Sequence, residues 1–282
     1  MTTIRVSCPI FDDGCYERFY DTDPEVFPRR AFLSFNRITI SEELPLARIL
    51  ITAGPTYEPI DAVRFVGNRS SGKLGARLAE RALALGWTVR LLLGPNAEQP
   101  VGAGIEIIRF ESSNDLESLL QKHLAQCDCL VMAAAVADYR PAMSEIELDG
   151  KRRRTGEDLI LKLETTPDLL AGCAENARSD QLLVGFALEP SDELESSARR
   201  KLAKKDIDLI IANPLETMNS ESIDARLIGN IDRGFQIDQS TDGSVSKEDF
   251  AGWLLGHLDQ LIKKQIQPTT PTIPSTESSS HA

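Results

Sequence analysis

From Ala47 onward, short apolar runs alternate with stretches of helical length, and this alternation restricts the possible folds more than any other feature of the chain. The runs are Ala47–Thr52, Thr88–Leu93, Ile105–Phe110, Cys129–Val136, Leu182–Leu188 and Leu209–Ala212. Runs of this length that stay apolar throughout read as strands buried on both faces. Helices are predicted between them over Gly72–Leu85, Asn114–Gln126, Pro167–Ala177 and Glu193–Lys205. The pattern predicts an α/β protein with a Rossmann-like, mainly parallel sheet covered by helices on both faces. Gly86 is placed to stop the first helix, and Asn114 with Glu117 reads as an N-cap followed by an acidic N3 residue.

Two segments interrupt the alternation. Glu145–Leu163 alternates polar and apolar residues around Asp149-Gly150, which predicts a protruding β-hairpin. Ala225–Asp238 predicts a second hairpin with its turn at Asp232-Arg233-Gly234, and a last helix is expected over Lys247–Lys264. Residues 1–46 mix acidic, aromatic and proline residues without a sustained period and read as an extension with at most short structure. Residues 47–265 read as one domain, and residues 266–282, rich in Thr, Pro and Ser, as a disordered tail.

A chain of 282 residues with 41% hydrophobic content can bury a substantial core. Its formal charge of −12 argues against a nucleic-acid binder with a broad basic face. The five cysteines (Cys8, Cys15, Cys127, Cys129 and Cys173) form no C-x-x-C pair, so they read as small core residues of a reducing compartment. No apolar stretch reaches membrane-span length and no signal-peptide pattern opens the chain, which leads us to expect a cytoplasmic protein.

Chemistry concentrates after the strand candidates. Following Ala47–Thr52 come Gly54-Pro55-Thr56 and then Asn68-Arg69-Ser70-Ser71-Gly72-Lys73-Leu74-Gly75 at a helix start. Glycines there allow close approach to the backbone, and free N–H groups at the helix N-terminus favour an anion such as a phosphate or carboxylate. The spacing is neither a dinucleotide G-x-G-x-x-G nor a P-loop, so Lys73 reads as an ordinary helix residue near solvent. A second group, Ala133-Ala134-Ala135-Val136-Ala137-Asp138-Tyr139-Arg140-Pro141, ends a strand in small residues and then offers a carboxylate and an arginine. Asp138 is either a turn cap or a ligand-facing group there. Lys201 and Lys205 share one helix face just before Leu209–Asn213, a placement suited to a polyphosphate. Lys151-Arg152-Arg153-Arg154 forms a second basic run in the predicted hairpin. His123, His257 and His281 lie apart from all of these, so charge stabilisation of a phosphoryl-type transfer suits the set better than histidine acid–base chemistry.

Taken in order, these motifs, together with Pro167-Asp168-Leu169-Leu170, Gly185-Phe186-Ala187-Leu188-Glu189 and Asp208–Asn213, resemble the phosphopantothenate–cysteine ligase family over about residues 47–265. The resemblance implies a ligase of coenzyme A synthesis that joins 4′-phosphopantothenate to L-cysteine through an acyl-cytidylate made from CTP. It implies that Gly54, Ser70, Gly72, Gly75, Ala134, Ala135 and Asn213 hold phosphopantothenate. It further implies that Asp138, Pro167, Asp168, Leu169, Leu170, Phe186, Lys201 and Lys205 hold CTP. Asn68 and Lys151 would be catalytic, with Lys151 on an arm that crosses a homodimer interface. The resemblance implies Mg²⁺ carried mainly by the triphosphate near Asp138, and no dedicated metal ligand is assigned. The arm reads Lys151-Arg152-Arg153-Arg154 where the family usually has K-x-K-K. Only 46 residues precede the matched region, so a stand-alone ligase is expected, without FMN and served by a separately encoded decarboxylase. Two other classes stay open: a nucleotide or phosphopantothenate sensor without turnover, and an NAD(P)-linked oxidoreductase.

Overall fold

Within each apolar run, successive side chains point to opposite faces of the sheet, so one strand must feed two separate cores. The computed structural model describes residues 47–218 and 220–266. The expected extension over 1–46, with Cys8 and Cys15, and the expected tail from 267 on, with His281, lie outside the described residues.

In chain order the elements are β1 (Arg48–Ala53), β2 (Tyr57–Pro59), β3 (Phe65–Gly67), α1 (Lys73–Ala84), β4 (Thr88–Leu93) and β5 (Ile105–Arg109). Next come α2 (Ser113–His123), β6 (Cys129–Met132), β7 (Tyr139–Pro141), β8 (Leu163–Thr165), α3 (Leu169–Asn176) and β9 (Leu182–Glu189). The last are α4 (Leu194–Lys205), β10 (Leu209–Pro214), β11 (Ser222–Ile223), β12 (Arg226–Gly229), β13 (Asp238–Ser240), β14 (Val245–Ser246) and α5 (Lys247–Ile266).

Eight strands form the central sheet in the order β13-β12-β10-β9-β6-β1-β4-β5. The pairings from β5 through β10 are parallel, and β12 and β13 close one edge as antiparallel strands. The fold is therefore the expected mainly parallel α/β sheet. Ile49, Ile51 and Ala53 of β1 join Leu91, Val131, Val184 and Ile211 in one core, packed under α1 and α5 through Leu78, Ala82, Phe250 and Leu254. Leu50, Leu92, Leu130, Leu183 and Ile210 face the other way, against Leu116 and Leu120 of α2, Leu170 and Cys173 of α3, and Ala198 and Leu202 of α4. Cys127, Cys129 and Cys173 are buried free thiols, and burial raises all three pKa values, Cys127 to about 11 and Cys173 to about 12. That is the behaviour of core residues.

Several local expectations shift. Gly86 stops α1 in the left-handed conformation as expected. The start of α2 differs: Ser112 is the N-cap and Asp115 the N3 acid of a complete capping box, two residues before the Asn114–Glu117 pair. Ser112 wins because it has extended φ/ψ and its hydroxyl reaches the Asp115 N–H, whereas Asn114 is already inside the first turn. The hairpin over Ala225–Asp238 forms as β12–β13, its turn tightened by a short 3₁₀ segment, Ile231–Arg233, and by Gly234.

Glu145–Leu163 does not pair with itself about Asp149-Gly150. Antiparallel pairing occurs at its root, between β7 and β8, and Glu147 makes an isolated bridge to Asp61. The intervening chain is held by side chains instead. Buried Asp61 accepts from the N–H of Arg152, and the Arg64 guanidinium donates to the Arg152 carbonyl at 2.9 Å. A two-residue turn fixes a hairpin only when both flanks can pair, and here the Arg152 backbone is drawn to Asp61 and Arg64.

Candidate functional site

The sheet carries its chemistry at the carboxyl ends of β1, β6, β9 and β10, beside the point where the strand order reverses on either side of β1. The β1–β6 pairing continues past the regular strands: Ala133 N–H donates to Thr52 O, Ala134 N–H to Thr52 Oγ1, Ala135 N–H to Gly54 O and Ala137 N–H to Thr56 Oγ1. These bonds hold the alanine run rigidly as the floor of two adjoining clefts.

The larger cleft, about 590 Å³, is lined by Ala134, Asp138, Pro167–Leu170, Phe186, Lys201 and Lys205. Asp168 caps α3 by accepting from the Ala171 N–H and also pairs with Lys205 Nζ, so the loop and α4 are joined at the cleft wall. Burial pushes the Asp168 carboxyl up, but Lys205, the Ala171 N–H and Lys204 together outweigh it and leave the pKa lowered. Lys201 pairs with Glu189 at the end of β9, and there too the ammonium outweighs burial and lowers the carboxyl. Ion pairs with this much solvent contact contribute about 0–1 kcal/mol, so a polyphosphate carrying several charges can draw both ammonium groups to itself. Among the described residues no group of three or more His, Cys, Asp or Glu is disposed to hold a metal ion.

The smaller cleft, about 240 Å³, is lined by Ser70, Gly72 and Gly75 at the start of α1, by Ala134 and Ala135, and by Phe186 and Asn213. Gly72 takes a left-handed conformation (φ 72°), which an L side chain rarely adopts, and no side chain caps the helix. The Lys73 N–H has a long bond to Ser71 Oγ at 3.5 Å, and the Leu74 and Gly75 N–H groups that follow face the cleft without a side-chain acceptor. Ala134 and Phe186 line both clefts, so ligands in the two would meet there.

Two residues expected at the site, Gly54 and Asn68, stand outside the cleft walls, and Lys151 lies on the arm, where the resemblance puts it. Gly54 lines neither cleft; a Cβ there would sit 2.6 Å from Ala97 Cβ, so it serves the fold of the β1 loop. Asn68 is exposed and donates from Nδ2 to the Val136 carbonyl at 2.9 Å, beside the larger cleft rather than in its wall. Lys151 lines a separate cavity on the arm with Arg64 and Arg152–Arg154. Sequence reasoning passed over Thr165 and Thr166 in the larger cleft and Thr217, Met218 and Lys247 in the smaller one. Of these, only Lys247 carried a signal, as the one cation opening an otherwise acidic helix start. Lys73, expected near solvent, lines the smaller cleft and pairs with Glu221.

A family described as the DNA/pantothenate metabolism flavoprotein C-terminal domain matches residues 44–260. The chain is 39% identical over 195 residues to the coenzyme A biosynthesis bifunctional protein CoaBC of Bacillus subtilis (strain 168), covering 69% of this chain and 46% of that one. It is 38% identical over 196 residues to a protein named cysteine/cysteine sulfinic acid decarboxylase from an unknown prokaryotic organism, covering 69% and 53%. The chain thus spans about half the length of the curated relatives it matches. Among solved structures, the C-terminal domain of CoaBC superposes with a TM-score of 0.64 at 31% identity, covering 77% of this chain and 96% of that one. The DNA/pantothenate metabolism flavoprotein from Streptococcus pneumoniae superposes with a TM-score of 0.65 at 27% identity, covering 76% and 99%. With a match that takes in most of the chain and every strand of the central sheet, the protein belongs to the DNA/pantothenate metabolism flavoprotein C-terminal domain family.

Proposed function

We propose that the protein is a phosphopantothenate–cysteine ligase that uses CTP. The observation that carries this reading is the meeting of the two clefts at Ala134 and Phe186, one walled by two lysines and the other by an open helix N-terminus. In the first half-reaction the carboxylate of 4′-phosphopantothenate attacks the α-phosphorus of CTP. A C–O–P bond forms, the α–β P–O bond breaks and pyrophosphate leaves. In the second, the amine of cysteine attacks the acyl carbon, the C–O bond to CMP breaks, and the amine proton is lost to solvent or a nearby base.

The acid lies in the smaller cleft with its phosphate at the α1 N-terminus. The nucleotide lies against Pro167–Leu170 and Phe186, its phosphates drawing Lys201 and Lys205 away from Glu189 and Asp168. An amide nitrogen carries two hydrogens, so Asn68 can keep its bond to Val136 and still donate to the acyl carbonyl as charge develops on oxygen. Mg²⁺ would come with the triphosphate and offset its charge, and Asp138 and Asp168, which line the cleft, are the carboxylates that could bind it there. Lys151 reaches a site from the arm of a second copy. The arm's apolar surface supports a homodimer: Leu148 is 61% exposed, Leu159 52% and Ile160 87%. The reaction needs no flavin, and a separate decarboxylase would consume the product.

A pyrophosphate-release assay with 4′-phosphopantothenate and Mg²⁺ tests the reading, run with CTP or ATP, with and without cysteine. We expect cysteine-dependent turnover with CTP. Asn68→Ala should lose about a hundredfold or more in kcat, the usual effect of deleting one oxyanion donor. Turnover only with ATP would overturn the nucleotide assignment; ligand binding with no turnover on either nucleotide would make the protein a sensor.

A further inference from the structure

The smaller cleft holds a cation with no assigned role. Lys247 is the first residue of α5, half-buried, and its backbone N–H donates to the Glu221 carbonyl at 3.2 Å. Burial lowers its pKa, Glu221 opposes that, and Lys73 adds to it, with Glu98 a weaker opposing charge. Lys73 is the other lysine in the cleft, and its ammonium is already taken by the Glu221 carboxylate. Among the described residues no carboxylate forms an ion pair with Lys247; the nearest negative charge, Glu221, is bonded to Lys73, so Lys247 is a partly desolvated cation without a direct partner.

A second, independent observation points to a ligand. Asn213 is only 8% exposed and lines the same cleft. Its Nδ2 donates to Thr217 Oγ1 at 2.8 Å, while its Oδ1 is buried with no donor. A buried acceptor left open in a cavity wall costs free energy until something in the cavity donates to it. The cleft thus offers a cation outside any ion pair and the Leu74 and Gly75 N–H groups, and it asks for one N–H or O–H donor.

We propose that Lys247 is the residue by which this cleft selects a phosphomonoester over the corresponding free alcohol, with Asn213 Oδ1 accepting from an amide N–H or hydroxyl of the same ligand. The inference rests on the proposed function, which places the phosphorylated acid in this cleft. Lys247 takes the phosphate dianion together with the α1 N–H groups, and the Lys73–Glu221 pair contributes little net charge.

Calorimetric titration of the full chain without nucleotide, using 4′-phosphopantothenate and pantothenate as the two probes, tests this on the wild type, Lys247→Gln, Lys247→Arg and Lys73→Gln. The wild type should prefer the phosphorylated acid. Lys247→Gln should lose about tenfold to a hundredfold of that preference, the usual worth of a hydrogen bond to a charged group. Its affinity for pantothenate should stay near the wild-type value, which a general loss of structure would not allow. Lys247→Arg should retain most of the preference, and Lys73→Gln should lose less than Lys247→Gln. An unchanged preference in Lys247→Gln, or an equal loss in Lys73→Gln, would overturn the assignment while leaving the ligase reading intact. A wild type that binds neither acid would overturn both.

Discussion

Asp61 is 3% exposed, and its carboxylate accepts from the N–H groups of Val63, Arg64 and Arg152 at 2.8, 2.8 and 3.1 Å as well as from the Arg64 guanidinium. The Arg64 bond, opposed by burial and aided by those N–H groups, holds the carboxyl well below its ordinary value of 3.8. The sign of the pH effect follows. A depressed folded-state pKa means that the unfolded chain binds the proton first. The stabilisation is complete above the ordinary Asp range and drains away as pH falls from about 4 toward the depressed folded value. Urea denaturation from pH 6 down to pH 2 should show an acid-dependent loss of stability that is smaller in Asp61→Asn. Equal slopes in the two proteins would mean that the Asp61 carboxyl is not held below its ordinary range. Arg64, three residues on, dominates the Asp61 carboxyl, but the carboxyl's tie to the arm runs through Arg152, 91 residues later in the chain, and no motif marks that tie. Gly75 shows the converse. It was legible as a ligand-facing glycine and does line the smaller cleft, yet a Cβ there would fall 2.3 Å from Ala53 Cβ. Close packing of α1 on β1 demands glycine whatever the ligand.

At the scale of elements, strands and helices were legible from period and length, and their ends were less so. Ser112 and Asp115 exchange the bonds of a capping box at 2.9 and 3.2 Å. Buried Glu58 adds two more at the same helix start, accepting from the N–H and hydroxyl of Ser113. Asn114, the cap expected from sequence, instead accepts from the Arg140 guanidinium at 2.7 Å and so ties α2 to β7 beside the larger cleft. Ser112→Ala should therefore cost about 1 kcal/mol in urea denaturation, and Asn114→Ala less, since the first removes a cap and the second a single exposed bond. The reverse order would restore Asn114 as the cap. The arm was misjudged for a related reason. A local turn signal such as Asp149-Gly150 competes with distant partners, and Asp61 and Arg64 outcompete it for the backbone of Arg152.

At the scale of the whole molecule, Lys151 and the two clefts occupy different places in one chain, so the proposed arm has work to do only across a dimer. If Lys151 serves the partner's site, Lys151→Gln and Asn68→Ala chains should be inactive alone. Mixed after unfolding and refolding, half the dimers would pair an intact body with an intact arm at one of two sites, giving about a quarter of wild-type activity. An inactive mixture that still forms heterodimers would place Lys151 in its own chain's site. The sequence by itself determined the parallel α/β sheet, the assignment of strands to two cores, and the residues clustered after β1, β6 and β9, because period-two and helical repeats and glycine-rich turns are local properties. Only the tertiary structure decided that Ala134 and Phe186 join two clefts, that Lys205 and Lys201 rest on Asp168 and Glu189, and that Lys247 enters the smaller cleft. Those outcomes depend on strand order and on α5 packing across α1, which join residues on different elements, in the case of Lys247 and the start of α1 more than 170 positions apart, and no local pattern encodes such a pairing.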